Sequence, residues 1–222
     1  MAVLEGHGIV RRFGARAVLQ GLSLAVEAGE RVALLGPSGC GKTTLLNLLG
    51  GLDRADEGVV RLDGEDLAAA TPKRLAQLRR EKLGTIFQFF HLIPTLTARE
   101  NVELSLQLLR WKPEAIRDRV DDLLQAVGIE SRADAWPSEL SGGELQRIAV
   151  ARALAAKPLV LLADEPTGNL DRASGESVLA LLKDLTDKEN TALVMVTHSE
   201  SAASLCHRTL RMLDGRIVEN SL

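Results

Sequence analysis

Several things are scarce in this chain. Its 222 residues hold two cysteines, Cys40 and Cys206, too few for a disulfide framework and suited to a reducing compartment. No apolar run is long enough to cross a bilayer as a helix. The opening residues, Met1 to Glu5, carry neither a basic segment nor an apolar core, so no secretory signal peptide is expected. Positive charge is not in excess. Lys and Arg total 27 against 30 Asp and Glu, a net charge of −3, which argues against a general nucleic-acid footprint. Repeats, linkers and low-complexity stretches are missing too. What is present is 45% hydrophobic and near zero in mean hydropathy. The length suits one large domain, or a core with an inserted subdomain.

The most informative stretch is Gly36-Pro37-Ser38-Gly39-Cys40-Gly41-Lys42-Thr43-Thr44. It fits the phosphate-loop pattern G-x-x-x-x-G-K-[ST]. Before it runs Arg31 to Leu35, short and apolar as a buried parallel strand should be. After it, Thr44 to Leu49 reads as a helix stopped by Gly50-Gly51. Such a strand, loop and helix start form a nest of backbone N–H groups at the positive end of a helix dipole. Glycine is expected at 36, 39 and 41 because a side chain there would hold phosphates off the amides. Lys42 is expected to reach the β- and γ-phosphates, and the Thr43 hydroxyl to ligate Mg²⁺. Cys40, near Lys42 and the helix start, is expected to be a reactive thiolate shielded by ATP.

Residues 3–10 and 18–27 alternate apolar and polar and read as antiparallel strands. Phe13, between them, either stacks on a base or packs at a strand end; spacing alone favours packing. Glu57 to Gly64 reads as a strand, 72–82 as a helix, and 83–87 as a short strand ending at Gln88. The basic run from Lys73 to Lys82, with Arg74, Arg79 and Arg80, reads as a solvated helix face rather than a contact with anionic lipid. Phe89, Phe90, Leu92 and Ile93 then crowd one loop; Phe90 and Leu92 are expected to line a surface groove that serves as an interaction socket, the alternative being that all four pack inside the helical subdomain.

The middle of the chain is helical. Thr97 to Glu100 is a capping box. Ile116, Val120, Leu123, Leu124 and Val127 recur at helical spacing, with Gly128 as the stop. Ser141 and Glu144 can cap the helix that runs to Ala156, and Gly142 and Gly143 leave it a second anion site. Leu159 to Glu165 is a buried strand with two carboxylates at its C-terminal end, where α/β sheets keep their chemistry. Asp164 is the expected Mg²⁺ partner of the phosphate loop, and Glu165 is placed to polarise a water. A further buried strand, 191–197, delivers His198, by itself an incidental histidine. Residues 208–213 and 216–219 read as a hairpin around Asp214-Gly215.

In combination these motifs resemble the ATP-binding subunits of ABC transporters, and the resemblance covers the whole chain. Leu140 to Glu144 is similar to that family's signature sequence. The run from Asp164 to Asp171, and Phe87-Gln88 followed by His91 to Pro94, are similar to the group of lipoprotein-releasing, macrolide-exporting and cell-division ATPases. The implied fold is α/β: a P-loop NTPase core with an antiparallel β-subdomain over 1–90 and 157–222, and a helical subdomain over 91–156. The resemblance implies a head-to-tail homodimer holding two ATPs. Lys42, Gln88, Glu165 and His198 would act on one nucleotide, with Thr43, Gln88 and Asp164 serving Mg²⁺. Phe13 would stack on adenine, His198 would touch the γ-phosphate, and Ser141, Gly142, Gly143 and Glu144 of the other protomer would close over it. Asp171 would lie in the loop crossing the interface.

The implied role is to power a separate integral membrane subunit from the cytoplasmic face, acting on a lipoprotein, lipid or amphipathic substrate. The alternative is a membrane-tethering regulatory ATPase that transports nothing. An ATPase acting on nucleic acid or ribosomes lacks support, because the chain has neither a long coiled-coil insertion nor a second ATPase domain. Two departures from the family pattern stand out. Phe13 occupies a position that is usually Tyr, and Leu145 follows the signature where the group commonly has a polar residue.

Overall fold

The computed structural model describes residues 2–218. The first two strands, β1 (Ala2–Phe13) and β2 (Arg16–Glu27), form a long hairpin. β1 runs three residues past its expected end and β2 starts two residues before its expected start, because pairing carries on through the half-polar ends to Phe13 opposite Arg16. With β4 (Glu57–Leu62) and β5 (Glu65–Asp66) they make an antiparallel sheet in the order β2-β1-β4-β5. Leu22, Leu24 and Val26 face inward while their neighbours face out, as the two-residue pleat requires.

The second sheet carries the chemistry. Its order is β10-β9-β3-β8-β7-β6, from β10 (Arg216–Val218), β9 (Arg208–Leu213), β3 (Arg31–Leu35), β8 (Ala192–Thr197), β7 (Val160–Asp164) and β6 (Leu83–Ile86). All neighbours are parallel except the β9–β10 hairpin. Glu219, assigned to that hairpin from sequence, lies outside the described residues. The central strands are apolar on both faces, so their runs do not alternate. Val32, Leu34, Val160, Leu162, Val194 and Val196 pack toward β1, β2, β4 and helix α1 (Lys42–Leu49). Leu161, Ala163, Leu193 and Met195 pack toward the helices on the other side. Each fully buried leucine or valine contributes roughly 1.5–3 kcal/mol of transfer free energy.

The helices follow their sequence signals. α2 (Pro72–Lys82) starts at Thr71, whose Oγ1 accepts from Arg74 N at 3.2 Å. α3 (Ala98–Leu108) has the Thr97/Glu100 capping box in both directions. α4 (Pro113–Ala126) ends before Gly128, which sits at φ 67°. α5 (Gly142–Leu154) closes two residues short of Ala156. These three helices lie in sequence between β6 and β7, and their apolar faces join one core with the sheet. Asn101 is fully buried among them: its Oδ1 accepts from Ile93 N at 2.8 Å, and its Nδ2 donates to the carbonyls of Ile93, Leu96 and Thr97. It staples the turn ahead of α3. α6 (Arg172–Glu189) and the short α7 (Glu200–Ala203) complete the fold. No helix among the described residues is long and apolar enough to cross a membrane.

Candidate nucleotide site

Three parallel strands, β3, β7 and β8, end side by side, and each delivers one part of a cleft of about 270 Å³. From β3 comes the phosphate loop. Lys42 is 6% exposed, and its Nζ donates to the carbonyls of Gly36 at 2.8 Å and Pro37 at 3.0 Å. The loop thus holds its own ammonium in place. Thr43 Oγ1 donates to Asp164 Oδ2 at the end of β7, 3.0 Å away.

The loop glycines are also required by the protein's own backbone and packing. Gly36 has ordinary dihedrals, but a methyl group there would run into the Met212 carbonyl and crowd Cys40 Sγ. Gly39 and Gly41 lie at φ 77° and 106°, where side chains are strained. Cys40 is 6% exposed and belongs to the apolar cluster under the sheet. Its thiol is buried 4.0 Å from Lys42 Nζ, so the access to reagent that the expected reactive thiol needs is closed in this conformation.

Glu165 sits just past β7 in the left-handed region at φ 47°, and its N–H donates to Val196 O of β8 at 2.9 Å. That conformation is uncommon for a residue with a side chain and is held here by the neighbouring strand. His198 N donates to Glu165 Oε2 at 3.3 Å, and His198 Nε2 lies 3.0 Å from Oε1. That second approach has the distance of an ion pair without hydrogen-bond alignment. Oε1 is buried and receives no hydrogen bond from a protein group among the described residues. Burial raises the Glu165 carboxyl above its ordinary pKa; His198 and Lys42 pull it back, and Asp164 pushes it further up.

Gln88 lines the same cleft with Ser38, Thr44 and Val18. Asn169 Nδ2 donates to Gln88 O at 2.9 Å, joining the loop after β6 to the loop after β7. Gln146 of α5 is fully buried and donates to Pro166 O at 2.6 Å, bracing the residue beside Glu165. Sequence reading assigned no role to Gln146 or Asn169, although Asn169 falls inside the run similar to the family group. Of the residues singled out from sequence, the cleft walls bring together Ser38, Gly39, Gly41, Lys42, Thr43, Thr44, Gln88, Asp164, Glu165 and His198.

Others stand apart from the cleft walls. Ser141 and Glu144 satisfy one another at the start of α5, with Ser141 N and Oγ both donating to Glu144 Oε2 at 2.8 and 2.7 Å. These bonds hold the Glu144 carboxyl below its ordinary pKa. Phe13 is 53% exposed at the end of β1, with the Arg11 guanidinium 4.8 Å from its ring centre. It is therefore not the packed strand-end residue that spacing favoured. Asp171 is exposed and caps α6 by accepting from Ser174 N at 3.0 Å.

Comparison with known proteins gives this cleft a context. Residues 19–168 match the family model described as ABC transporter. The chain is 46% identical over 203 residues to a lipoprotein-releasing system ATP-binding protein, LolD, of Francisella tularensis, covering 90% of this chain and 87% of that protein. It is also 46% identical over 203 residues to the macrolide export ATP-binding/permease protein MacB of Shigella flexneri. That alignment covers 91% of this chain but 31% of MacB, so the chain spans about a third of that relative. Among solved structures it is similar to the dimeric cassette MJ0796 bound to ADP and Pi, at 37% identity and a TM-score of 0.87, over 97% of both chains. A second dimeric structure of MJ0796, described as a bacterial ABC transporter cassette, superposes with a TM-score of 0.89 at the same identity and coverage.

Proposed function

The chain belongs to the ABC transporter family as an ATP-hydrolysing cassette, and from that premise we propose that it powers a separate membrane subunit. The substrate class we assign is a lipoprotein, lipid or amphipathic molecule, extracted or exported through that membrane subunit while this chain sits on the cytoplasmic face. The observation that carries the ATPase reading is the convergence of Lys42, Thr43, Gln88, Asp164, Glu165 and His198 on one cleft. The substrate class leans on the likeness to LolD.

In this reading the phosphate-loop amides and Lys42 bind the β- and γ-phosphates. Phe13 offers a ring face to adenine; its exposure leaves that face available. The Thr43 hydroxyl and Asp164 carboxylate, 3.0 Å apart, are hard oxygen donors of the kind Mg²⁺ selects, and Gln88 lies beside them. Bound there, the ion would neutralise charge on the phosphates. Glu165 receives the proton of a water aligned behind the γ-phosphate, through the carboxylate oxygen that lacks a protein donor. His198 contacts the γ-phosphate and holds Glu165 in place.

The site is completed by a second copy. Ser141 to Glu144 are not among the cleft-lining residues of their own chain, so we assign them to the partner protomer's nucleotide in a head-to-tail dimer. The dimeric MJ0796 cassettes give the precedent. Closure around ATP does the work on the membrane subunit, and hydrolysis resets it.

The test is reconstitution with the membrane protein that co-purifies with this chain. ATP-dependent release of a lipidated protein from proteoliposomes is the expected result. A complex that hydrolyses ATP without moving any lipidated or amphipathic substrate would point instead to a tethering role.

A further inference from the structure

One arginine fastens the end of β1 to the turn that follows α1. Arg11 Nη2 donates to the Asp53 carboxylate at 2.9 Å, and Nη1 donates to Asp56 Oδ1 at 3.1 Å. Asp56 is itself held in place. Its Oδ2 accepts from Arg12 N at 2.6 Å, and its own N–H donates to Val10 O at 2.9 Å. The Arg12 N–H first, and the Arg11 cation after it, keep the Asp56 carboxyl below its ordinary pKa. Asp53 is tied to α1: its N–H and that of Leu52 both donate to Asn47 O, at 3.3 and 2.8 Å. Because α1 opens at Lys42 in the phosphate loop, Arg11 bridges the strand end that carries Phe13 to the helix that carries the loop.

The guanidinium also has a face, and Phe13 lies against it. Arg11 Cζ stands 4.8 Å from the ring centre, inside the ~6 Å reach of a cation–π contact. The Arg11 side chain is 20% exposed and Phe13 is 53% exposed, so one face of the ring is covered by the cation and the other is open. Two features set this apart from an ordinary surface ion pair. Two carboxylates grip the two ends of the fork, which fixes the plane of the guanidinium as well as its position. Arg11 Nε is buried without a hydrogen-bond partner among the described residues. An unmet buried donor is a cost that stability alone does not explain.

We propose that Arg11 is a positioning residue for the nucleotide base: clamped by Asp53 and Asp56, it holds the Phe13 ring by one face so that the other meets adenine at a fixed reach from the phosphate loop. The inference rests on the stacking role given to Phe13 and goes further, because it assigns base selection to three residues that take no part in the phosphate chemistry. An exposed ring at a strand end loses rotamer freedom when a base lands on it, and that loss weakens binding. Arg11 removes the freedom beforehand. The base is held alike before and during hydrolysis, so the effect belongs in KM and not in kcat.

The experiment compares ATP with inorganic tripolyphosphate, which has no base, as ligands of the full chain in calorimetry. Phe13→Ala comes first and tests the stacking role alone. If it leaves the preference for ATP intact, that role fails and takes this inference with it. If the preference drops, Arg11 is judged separately. Arg11→Met, similar in length and uncharged, is expected to weaken ATP binding roughly 3–10-fold while tripolyphosphate stays within about twofold. KM for ATP should rise to match, with kcat unchanged. Asp53→Asn/Asp56→Asn frees the fork without removing it and should give the same base-selective loss. It carries the test if Arg11→Met does not fold. In the Phe13→Ala background Arg11→Met should add no further loss, since the ring through which it acts is gone.

Three results would overturn the proposal once Phe13→Ala has lowered the preference. Unchanged ATP affinity in Arg11→Met would leave the ring positioned without its cation. Tighter ATP binding would make Arg11 a competitor of the base for the ring. Equal loss of ATP and tripolyphosphate would reduce Arg11 to a brace of the fold.

Discussion

Thr43 Oγ1 donates to Asp164 Oδ2 across 3.0 Å, joining the first turn of α1 to the end of a strand 121 positions later. The bond poses two hard oxygens side by side in the cleft. Thr43→Val keeps the shape and removes one of them. Apparent Mg²⁺ affinity in the ATPase reaction is expected to fall on the order of 10–100-fold, with little change in melting temperature because this bond is solvent-accessible. Unchanged Mg²⁺ dependence would remove Thr43 from the metal site.

Glu165→Gln keeps the size and the left-handed backbone of the residue but cannot take a proton. Hydrolysis is expected to drop by roughly 10²–10⁴-fold, while ATP binding and dimer closure persist. Light scattering should then show a long-lived dimer with Mg-ATP. A variant that stays monomeric with ATP, or turns over at the wild-type rate, contradicts the assignment.

Much of this site was legible because its signals are local. The phosphate loop announces itself within nine residues, and the Ser141/Glu144 box within four. Asp164-Glu165 follows directly from a strand that is apolar on both faces. What sequence hid depends on contacts between distant residues. Gly36 is fixed by the Met212 carbonyl, and Asn101 by a turn it staples from inside the helical layer. The crowded loop from Phe89 to Pro94 is sorted only by packing: Phe89 and Ile93 stand exposed, and Leu92 packs partly buried against the helical core.

A pH prediction follows from the balance on Glu165. Burial raises its pKa, and His198 is the first of the opposing influences. The ionised carboxylate is the active form, so activity is present above this pKa and is lost as pH falls through it. Replacing His198 with Ala removes a lowering influence, so the pKa rises further. The acid limb of the normalised kcat profile is expected to move to higher pH, beyond any drop in kcat itself. A limb that stays in place would show that His198 does not set the charge state of Glu165.

Neither cysteine should behave as an accessible reactive thiol. Cys40 is 6% exposed within the core cluster. Burial pushes the Cys206 thiol up to about 11, with Arg31 opposing, so at pH 8 about one molecule in a thousand carries the thiolate there. A disulfide reagent is expected to react slowly with the native protein and quickly with two thiols after denaturation. ATP should change the native rate little. Rapid labelling of Cys40 that ATP suppresses would mean that the loop opens in solution.

Leu92 tests how the loop after β6 is held. Phe89 and Ile93 are 64% and 37% exposed, but Leu92 packs partly buried against the helical core. Arg152 of α5 fastens the same segment, donating to Phe90 O at 2.8 Å and His91 O at 2.5 Å. Phe90 reaches toward Gly142, where a Cβ would lie 3.7 Å from its ring. Phe90 is thereby tied to α5 and Leu92 to the helical core. Leu92→Asp is accordingly expected to act as a core lesion, since it sets a carboxylate against an apolar cluster. A loss of about 2–4 kcal/mol in unfolding free energy is expected, read by denaturant titration of the isolated chain. A socket residue would behave otherwise, keeping the isolated chain stable and losing only the membrane subunit. Wild-type stability with failed assembly would therefore assign Leu92 to the docking surface.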